Sequence, residues 1–298
     1  MLRAQGHSVL IDVSYDGAPC DLMIAIHAWR SANAIAAYRA KHPKGALIVA
    51  LGGTDVNTFL KTEPGTTLRS MYAADALICL HSLIKDCLPI DLQSKLHLVH
   101  QSATPLLGPR APRKRTFGAC IIGHLRQEKD PFRAAQAARL MPVESGLRVI
   151  HLGKAYTQSW AHDAIREMEQ NPRYIWKGEV AAWQVRQEFA KTHVMVISSN
   201  QEGGANVVSE AIVAGVPIIA SDISGNVGLL GADYPGYYPV RDERALADIL
   251  SRVEREPKFL ASLQCHIEKL RPQFTPQGEA KSLITAIKHA TKRATKSA

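Results

Sequence analysis

The chain has 298 residues, 46% of them hydrophobic, and a formal net charge of +9. This length predicts two domains, each with enough apolar residues for a core. No stretch approaches the roughly 20 apolar residues of a membrane helix, and the start of the chain lacks the pattern of a signal peptide, so we expect a cytoplasmic protein. The cysteines are scattered without a CxxC pair, which disfavours disulfides and a zinc site.

The positive charge is spread along the chain. One cluster comprises Arg110, Arg113, Lys114 and Arg115 between prolines, and another runs from Lys288 to Lys296. No aromatic residues alternate with these charges, as they do on surfaces that bind single-stranded nucleic acid. We expect a solvated linker and a basic C-terminal tail, with no nucleic-acid partner and no stable membrane association.

Short runs rich in Val, Ile and Leu recur, each followed by a segment with helical periodicity. This alternation is typical of parallel sheets covered on both faces, so the fold class is α/β. The predicted strands of the first half are Val9–Val13, Leu22–Ile26, Leu47–Leu51, Ala76–Leu80 and Leu96–Val99. Those of the second half are Ala119–Ile122, Arg148–Leu152, Tyr174–Trp176, Val194–Ile197 and Ile218–Ala220. The aromatic segment around Tyr237 and Tyr238 is predicted to be a packed loop.

The segment ATPLLGPRAPRKR, residues 103–115, is rich in proline and has no periodicity, as expected of a linker. We predict an N-terminal domain over residues 1–108, a C-terminal domain over 116–272, and a helix with a basic tail over 273–298. Leu2 to Gly6 reads as the last turn of a helix. A strand, a glycine-containing loop and most of a helix, on the order of 20 to 30 residues, are therefore expected to precede Met1 in a fuller sequence.

The segment VMVISSNQEGGANVVSEAIVAGVPIIAS, residues 194–221, reads as strand, loop, helix, turn and strand. Its loop leaves the carboxyl end of a strand, where open α/β sheets bind ligands. Gly203 and Gly204 let the backbone approach a ligand closely, and a helix that starts near Asn206 directs its N–H groups at an anion. Gly215 suits the C-terminal cap of that helix.

Two glutamates flank this glycine pair. Glu202 and Glu210 are eight positions apart, so both carboxylates can accept hydrogen bonds from hydroxyls of one bound molecule. Carboxylates near a helix start also serve as plain caps, so their spacing alone is a weak signal.

A second anion-binding candidate is ACIIGHLRQEKDPFRAA, residues 119–135, where a strand leads into a loop with His124, Arg126 and Lys129. Asp130 and Pro131 predict the start of the next helix. Cations at the end of a strand and beside a helix start fit a diphosphate, although a solvated charged loop would look the same.

These two segments resemble the family 4 glycosyltransferases, retaining enzymes of the GT-B fold with two Rossmann-like domains. The family carries a glycine, an arginine and, about five positions on, a lysine, followed later by two glutamates around a glycine-rich turn. Lys129, Glu202 and Glu210 match this pattern, but His124 stands where the family has arginine. Either Arg126 supplies the missing charge or a neutral imidazole leaves phosphate binding weaker.

The resemblance implies that Lys129 binds the diphosphate, Glu210 the ribose, and Glu202 the donor sugar, and that no metal is required. The donor-binding residues it implies are Gly123, His124, Arg126, Lys129, Gly203, Gly204, Ala205, Asn206, Val207 and Glu210.

Within that family, GHLRQEKDPFRAA, EGGANVVSEAIVAGVP, IAIHAWRSA and GGTD look like the selenosugar synthases. That subfamily replaces the nucleotide of UDP-N-acetylglucosamine or UDP-glucose with selenium from selenophosphate. His27, Arg30, Thr54 and Asp55 follow strand ends in the first half and are the acceptor-binding candidates, with His27 and Glu202 as catalytic residues. A lipid or saccharide acceptor, or binding of a nucleotide sugar without catalysis, remain alternatives.

Overall fold

The computed structural model describes residues 1–296 and divides into two compact units. The first unit comprises Met1–Ser102, Glu202–Gly204 and the chain from Thr275 onward; the second comprises Ala103–Gln201 and Ala205–Phe274. The last two residues of the predicted segment 273–298 lie outside the described residues. The C-terminal helix therefore belongs to the unit formed by the N-terminal half.

The elements follow one another in an alternating order. The strands are β1 (Leu22–Ile26), β2 (Ala46–Ala50), β3 (Ala76–Cys79), β4 (Leu96–Leu98), β5 (Phe117–Ile122), β6 (Leu147–Leu152), β7 (Tyr174–Trp176), β8 (Val194–Ile197), β9 (Ile218–Ser221) and β10 (Tyr237–Tyr238). The helices are α1 (Ala32–Lys41), α2 (Leu60–Thr62), α3 (Pro64–Ala73), α4 (Arg133–Leu140), α5 (Gln158–Gln170), α6 (Ala182–Lys191), α7 (Asn206–Ala214), α8 (Ser224–Leu230), α9 (Glu243–Arg255), α10 (Pro257–Leu270) and α11 (Pro276–Lys296). The α/β class is confirmed.

The first unit contains a parallel sheet in the order β1-β2-β3-β4, with helices on both faces. On one face, Ile35 and Tyr38 of α1 and Met71 of α3 join a buried apolar cluster with the strands. On the other face, α11 lays Ala286 and Ala290 against β2 and β3. Small residues let this helix approach the sheet closely.

The predicted strand Val9–Val13 is wrong. Among the described residues, this segment pairs with no strand, and Leu10, Ile11 and Val13 are 78%, 81% and 104% exposed. An apolar alternation becomes a strand only when a neighbouring strand completes its backbone hydrogen bonds. The preceding turn is a 3-10 helix, Leu2–Gln5, which Gly6 ends at a φ of 86° as expected of a left-handed cap.

The second unit contains a parallel sheet in the order β10-β9-β8-β5-β6-β7. Strand β10 corrects the expectation that Tyr237 and Tyr238 belong to a packed loop, because both pair with β9. The connections from β5 proceed to β6 on one side, whereas β8 pairs with β5 on the other. The loops after β5 and β8 therefore leave the same edge of the sheet side by side, where open α/β sheets bind ligands.

The expectation of a solvated basic cluster before β5 holds for Lys114 and Arg115, which are exposed, and is wrong for Arg110 and Arg113. Arg110 donates to the carbonyls of Thr192 and Gly215 at 2.6 and 2.5 Å. Arg113 binds Glu188 through two contacts of 2.7 and 2.8 Å, and that carboxylate is buried. These guanidinium groups fix the segment to the rest of the second unit. The sequence pattern did not predict this, because the carbonyl acceptors lie at the ends of distant strands and helices.

No helix within residues 1–296 combines the length and the apolar content needed to cross a lipid bilayer.

Candidate functional site

A shallow hollow lies at the carboxyl ends of β5 and β8 in the second unit. Its lining includes Gly123, His124, Lys129, His151, Ser198 and Ser199. We call it the strand-end hollow. The structure thus brings three of the predicted donor-binding residues together, namely Gly123, His124 and Lys129. Neither Glu202 nor Glu210 is among its lining residues.

Lys129 reaches the hollow from a 3-10 turn, Gln127–Lys129. Ser198, directly after β8, donates its hydroxyl to the carbonyls of Lys129 and Asp130 at 3.0 and 2.9 Å. The backbone of Lys129 is therefore tied to the loop that follows β8.

The predicted cap Asp130 is wrong. Helix α4 starts at Arg133, with Phe132 as its cap, and Asp130 has a φ of 44°. The Asp130 carboxylate instead pairs with Arg133 Nε at 2.8 Å.

His124 is fixed in a tautomer that donates. The backbone N–H of Lys154 donates to His124 Nδ1 at 3.1 Å, so this nitrogen carries no proton. The proton of the neutral imidazole is therefore on Nε2, which can give one hydrogen bond to an anion. An arginine in this position would offer a fork of donors and a permanent charge.

Arg126 lies against an aromatic ring. Its guanidinium carbon is 5.4 Å from the centre of the Tyr156 ring, and its Nη1 is 3.4 Å from the Tyr156 hydroxyl. It is not among the residues that line the strand-end hollow. The compensation of His124 by Arg126 stays a prediction, and it requires this side chain to leave the tyrosine.

A buried histidine that the sequence reasoning missed holds Gly123 in place. His151 Nε2 donates to the carbonyl of Gly123 at 3.0 Å, and the Tyr174 hydroxyl donates to His151 Nδ1 at 2.9 Å. Burial lowers the pKa of His151 to about 4, which keeps the ring neutral. A histidine inside the apolar run RVIHL was the signal for a polar partner at this strand end.

Gly153 completes this support. A Cβ on Gly153 would lie 1.8 Å from the carbonyl oxygen of Gly123, so only glycine fits. The Gly123 N–H donates to the Leu152 carbonyl at 2.9 Å. The loop that follows β5 is thus held in place by residues at the end of β6.

Helix α7 begins at Asn206 after Ala205, and no side-chain hydrogen bond caps it. Its end at Gly215, with a φ of 70°, is as predicted. Asn206 Nδ2 donates to Glu210 Oε1 at 2.9 Å, and burial raises the pKa of Glu210. Val207 is half-buried beside Asn206 on the same first turn. The glutamate is therefore oriented by a residue of its own helix.

The loop residues Glu202–Gly204 cluster with the first unit. Asn57 Nδ2 donates to the Glu202 carbonyl at 3.2 Å. A Cβ on Gly53 would lie 2.5 Å from the nitrogen of Gly203, and one on Gly203 would lie 2.3 Å from the Gly53 Cα. Gly53 and Gly203 permit this close approach of two backbones. Gly204 has a φ of 110°, and a Cβ there would lie 2.5 Å from the Cβ of Leu80.

His27 joins two other predicted acceptor-site residues. Its Nε2 lies 2.6 Å from Thr54 Oγ1, and its Nδ1 lies 2.6 Å from Asp55 Oδ1. The residue has a φ of 77°, a strained value for a side chain other than glycine. Burial lowers the pKa of His27 most strongly, Asp55 opposes this effect, and Arg30 adds to it.

Asp55 does not have the expected direct contact with an acceptor. Its side chain has no exposed surface, and its oxygens accept the N–H groups of Ala28, Trp29 and Gly52 at 2.8 to 2.9 Å. A carboxylate so enclosed acts on a ligand only through its neighbour His27. Arg30, by contrast, is exposed.

Comparisons with known proteins agree on the fold. The family model described as glycosyl transferases group 1 matches residues 110–269. A putative teichuronic acid biosynthesis glycosyltransferase, TuaC of Bacillus subtilis (strain 168), is 25% identical over 175 residues, which are 58% of this chain and 42% of that protein. The chain thus spans less than half the length of this curated relative.

Among solved structures, HepE of Anabaena in complex with UDP superposes with a TM-score of 0.75 at 15% identity, covering 90% of this chain and 78% of that one. Sucrose-phosphate synthase from Thermosynechococcus elongatus gives a TM-score of 0.73 at 16% identity, covering 90% and 73%. The fold is GT-B, with parallel sheets in two Rossmann-like domains.

Proposed function

This chain belongs to the glycosyl transferases group 1 family, and from that membership we propose that it transfers a sugar from a UDP-sugar to selenophosphate. The donor is UDP-N-acetylglucosamine or UDP-glucose, and the product is a selenosugar for selenoneine biosynthesis. The support for a UDP-sugar donor is the strand-end hollow with Lys129 and the His124 donor, together with the solved complexes of HepE with UDP and with UDP-glucose.

In the proposed reaction, the diphosphate sits in the strand-end hollow. Lys129 and the N–H groups at the start of α7 neutralise the charge that develops on the leaving UDP. Glu210 accepts from the ribose hydroxyls, and Glu202 accepts from the hydroxyls of the donor sugar. Because side chains and helix-end amides neutralise the leaving group, we propose that no metal takes part, and UDP release should continue in EDTA.

Selenium then forms a bond to the anomeric carbon while the bond between that carbon and the UDP oxygen breaks, and UDP leaves with the electron pair. Water cleaves the Se–P bond afterwards and releases phosphate. Selenophosphate is an anion, and exposed Arg30 beside His27 supplies positive charge where the acceptor is proposed to bind. The support for selenium in particular is the resemblance of IAIHAWRSA, GGTD and GHLRQEKDPFRAA to the selenosugar synthases.

A saccharide acceptor is the second candidate, and the relation to TuaC favours it. That relation covers only 42% of a longer protein, so it gives limited support for any particular acceptor.

The deciding assay offers each UDP-sugar with selenophosphate, with phosphate, and with a panel of saccharides, and measures release of UDP and the mass of the product. UDP release that needs selenophosphate, with a selenium-containing sugar as product, supports the proposal. Release only with a saccharide supports the second candidate. Tight UDP binding with no turnover in any arm would show a nucleotide-sugar-binding protein instead. The cytoplasmic location stays a prediction.

A further inference from the structure

Three side chains of the first unit form a continuous hydrogen-bonded row. The carboxylate of Asp55 lies 2.6 Å from Nδ1 of His27, and Nε2 of the same ring lies 2.6 Å from the hydroxyl of Thr54. Carboxylate, imidazole and hydroxyl in this order are the arrangement with which enzymes move a proton away from a hydroxyl. We call it the Asp55–His27–Thr54 row.

The position of the shared proton follows from the contacts of Asp55. Its oxygens already accept three backbone N–H groups, so the side chain is a carboxylate without a proton. An N···O separation of 2.6 Å needs a proton between the atoms, and that proton is on His27 Nδ1. The Arg30 N–H also points at this nitrogen, at 3.3 Å, and the much shorter contact with Asp55 decides where the proton lies.

The other ring nitrogen then faces Thr54 with its lone pair. The Thr54 hydroxyl donates to His27 Nε2, which leaves the oxygen lone pairs of Thr54 for another partner. His27 is 9% exposed and Asp55 is fully buried, whereas Thr54 is half-buried. Of the three side chains, Thr54 offers the most surface to a substrate.

The ring is also locked in orientation. A Cβ on Gly52 would lie 2.7 Å from Cδ2 of His27, and the Phe59 ring packs edge-on against the imidazole at 5.7 Å. His27 has a positive φ, and Asp55 opens a π-helical turn, Asp55–Phe59. Strained backbone and π-turns concentrate at functional sites, because a purely structural residue gains nothing from them.

We propose that the Thr54 hydroxyl contacts the attacking group of the acceptor and passes its proton to His27, with Asp55 as the positioning residue. This inference rests on the proposed function and requires selenophosphate to bind in its hydrogen form, with a proton on the attacking selenium. As that atom bonds to the anomeric carbon, its proton moves to Thr54 Oγ1, and the proton of the hydroxyl moves to His27 Nε2. The imidazolium is stabilised by Asp55, and UDP leaves with the electron pair of the broken bond.

The kinetic test compares Thr54→Val, which keeps the shape, with Thr54→Ser, which keeps the hydroxyl. Thr58→Val makes the same change one turn away and serves as the matched control. We expect Thr54→Val to lower kcat for UDP release by about 100-fold or more, with KM for the UDP-sugar within about twofold, since positioned proton transfer contributes about 10²–10⁴-fold. Thr54→Ser should recover kcat to within about tenfold of wild type, and Thr58→Val should match wild type.

A measurement without substrate tests the proton assignment. The ¹⁵N chemical shifts of the His27 ring should show the neutral tautomer with the proton on Nδ1. A proton on Nε2 would overturn the proposal, because the ring could then not accept the proton of Thr54. A kcat of Thr54→Val within threefold of an active wild type would overturn the relay and leave the proposed function standing. A wild type that releases no UDP with any acceptor would refute both.

Discussion

Gly153→Ala tests whether the strand-end hollow is the diphosphate site without replacing any residue proposed to bind the ligand. The added Cβ would lie 1.8 Å from the Gly123 oxygen, and contacts under 3.0 Å are essentially never found, so the Gly123 carbonyl must move by at least about 1.2 Å. This movement opposes the bond from His151 and the bond to Leu152. Overpacking costs about 1–3 kcal/mol, and weakening each of these two hydrogen bonds costs about 1 kcal/mol. We therefore expect the free energy of unfolding to fall by about 3–5 kcal/mol.

The same shift displaces His124 and Lys129 from the positions that a diphosphate needs. Loss of one charge-assisted hydrogen bond, worth about 1.5–3 kcal/mol, weakens UDP binding at least about tenfold. Calorimetric titration with UDP measures the affinity, and urea unfolding measures the stability. Gly6→Ala is the control, because Gly6 has a positive φ of 86°, lies in the first unit, and a Cβ there would meet nothing within 4 Å.

An unchanged UDP affinity in folded Gly153→Ala would refute the assignment of the diphosphate to this loop. Should Gly153→Ala not fold, Tyr174→Phe loosens the same support without adding an atom, because it removes the donor to His151 Nδ1. We expect that variant to weaken UDP binding severalfold while the protein stays folded.

Three further expectations concern binding and pH. Lys129→Ala should weaken UDP binding about tenfold to a hundredfold by titration, whereas Lys258→Ala, an exposed lysine on α10, should not. Glu210→Ala should raise the Kd for UDP about tenfold but leave the affinity for pyrophosphate unchanged, and a parallel loss of both would contradict its ribose role. His97 Nε2 lies 2.5 Å from His289 Nδ1, and burial first, then positive neighbours, lowers both pKa values. The stability that these neutral histidines contribute is therefore complete above about pH 6.5 and is lost as the pH falls below it. The urea concentration at the unfolding midpoint should be lower at pH 5.5 than at pH 7.5, and the difference should be smaller in His289→Gln.

Much of the fold could be predicted because strand patterns are local. Leu22–Ile26, Tyr174–Trp176 and Val194–Ile197 match the observed strands to the residue, since buried parallel strands are short apolar runs bounded by polar turns. Val9–Val13 has the same local pattern and fails because pairing is a property of its neighbours. The two-residue strand β10 is too short to produce a periodicity.

The candidate site, too, could be predicted only in part. Residue types and spacing placed Gly123, His124 and Lys129 at one strand end, because the carboxyl ends of parallel strands share an edge. The interactions of these residues depend on distances between segments that the sequence does not encode locally. His151 behind Gly123 is one case, and the burial of Asp55 beneath His27 is another.

The return of α11 to the first sheet has a consequence for dissecting this protein. Its alanines at 286, 290 and 294 share a buried cluster with Ile48 and Ile78 of β2 and β3. A fragment that ends at Ser102 would leave one apolar face of that sheet exposed to solvent, and exposed apolar faces promote aggregation. Autonomous folding of the N-terminal half therefore requires its distant C-terminal helix, supplied either as a separate peptide or through a rearranged gene that joins the two directly.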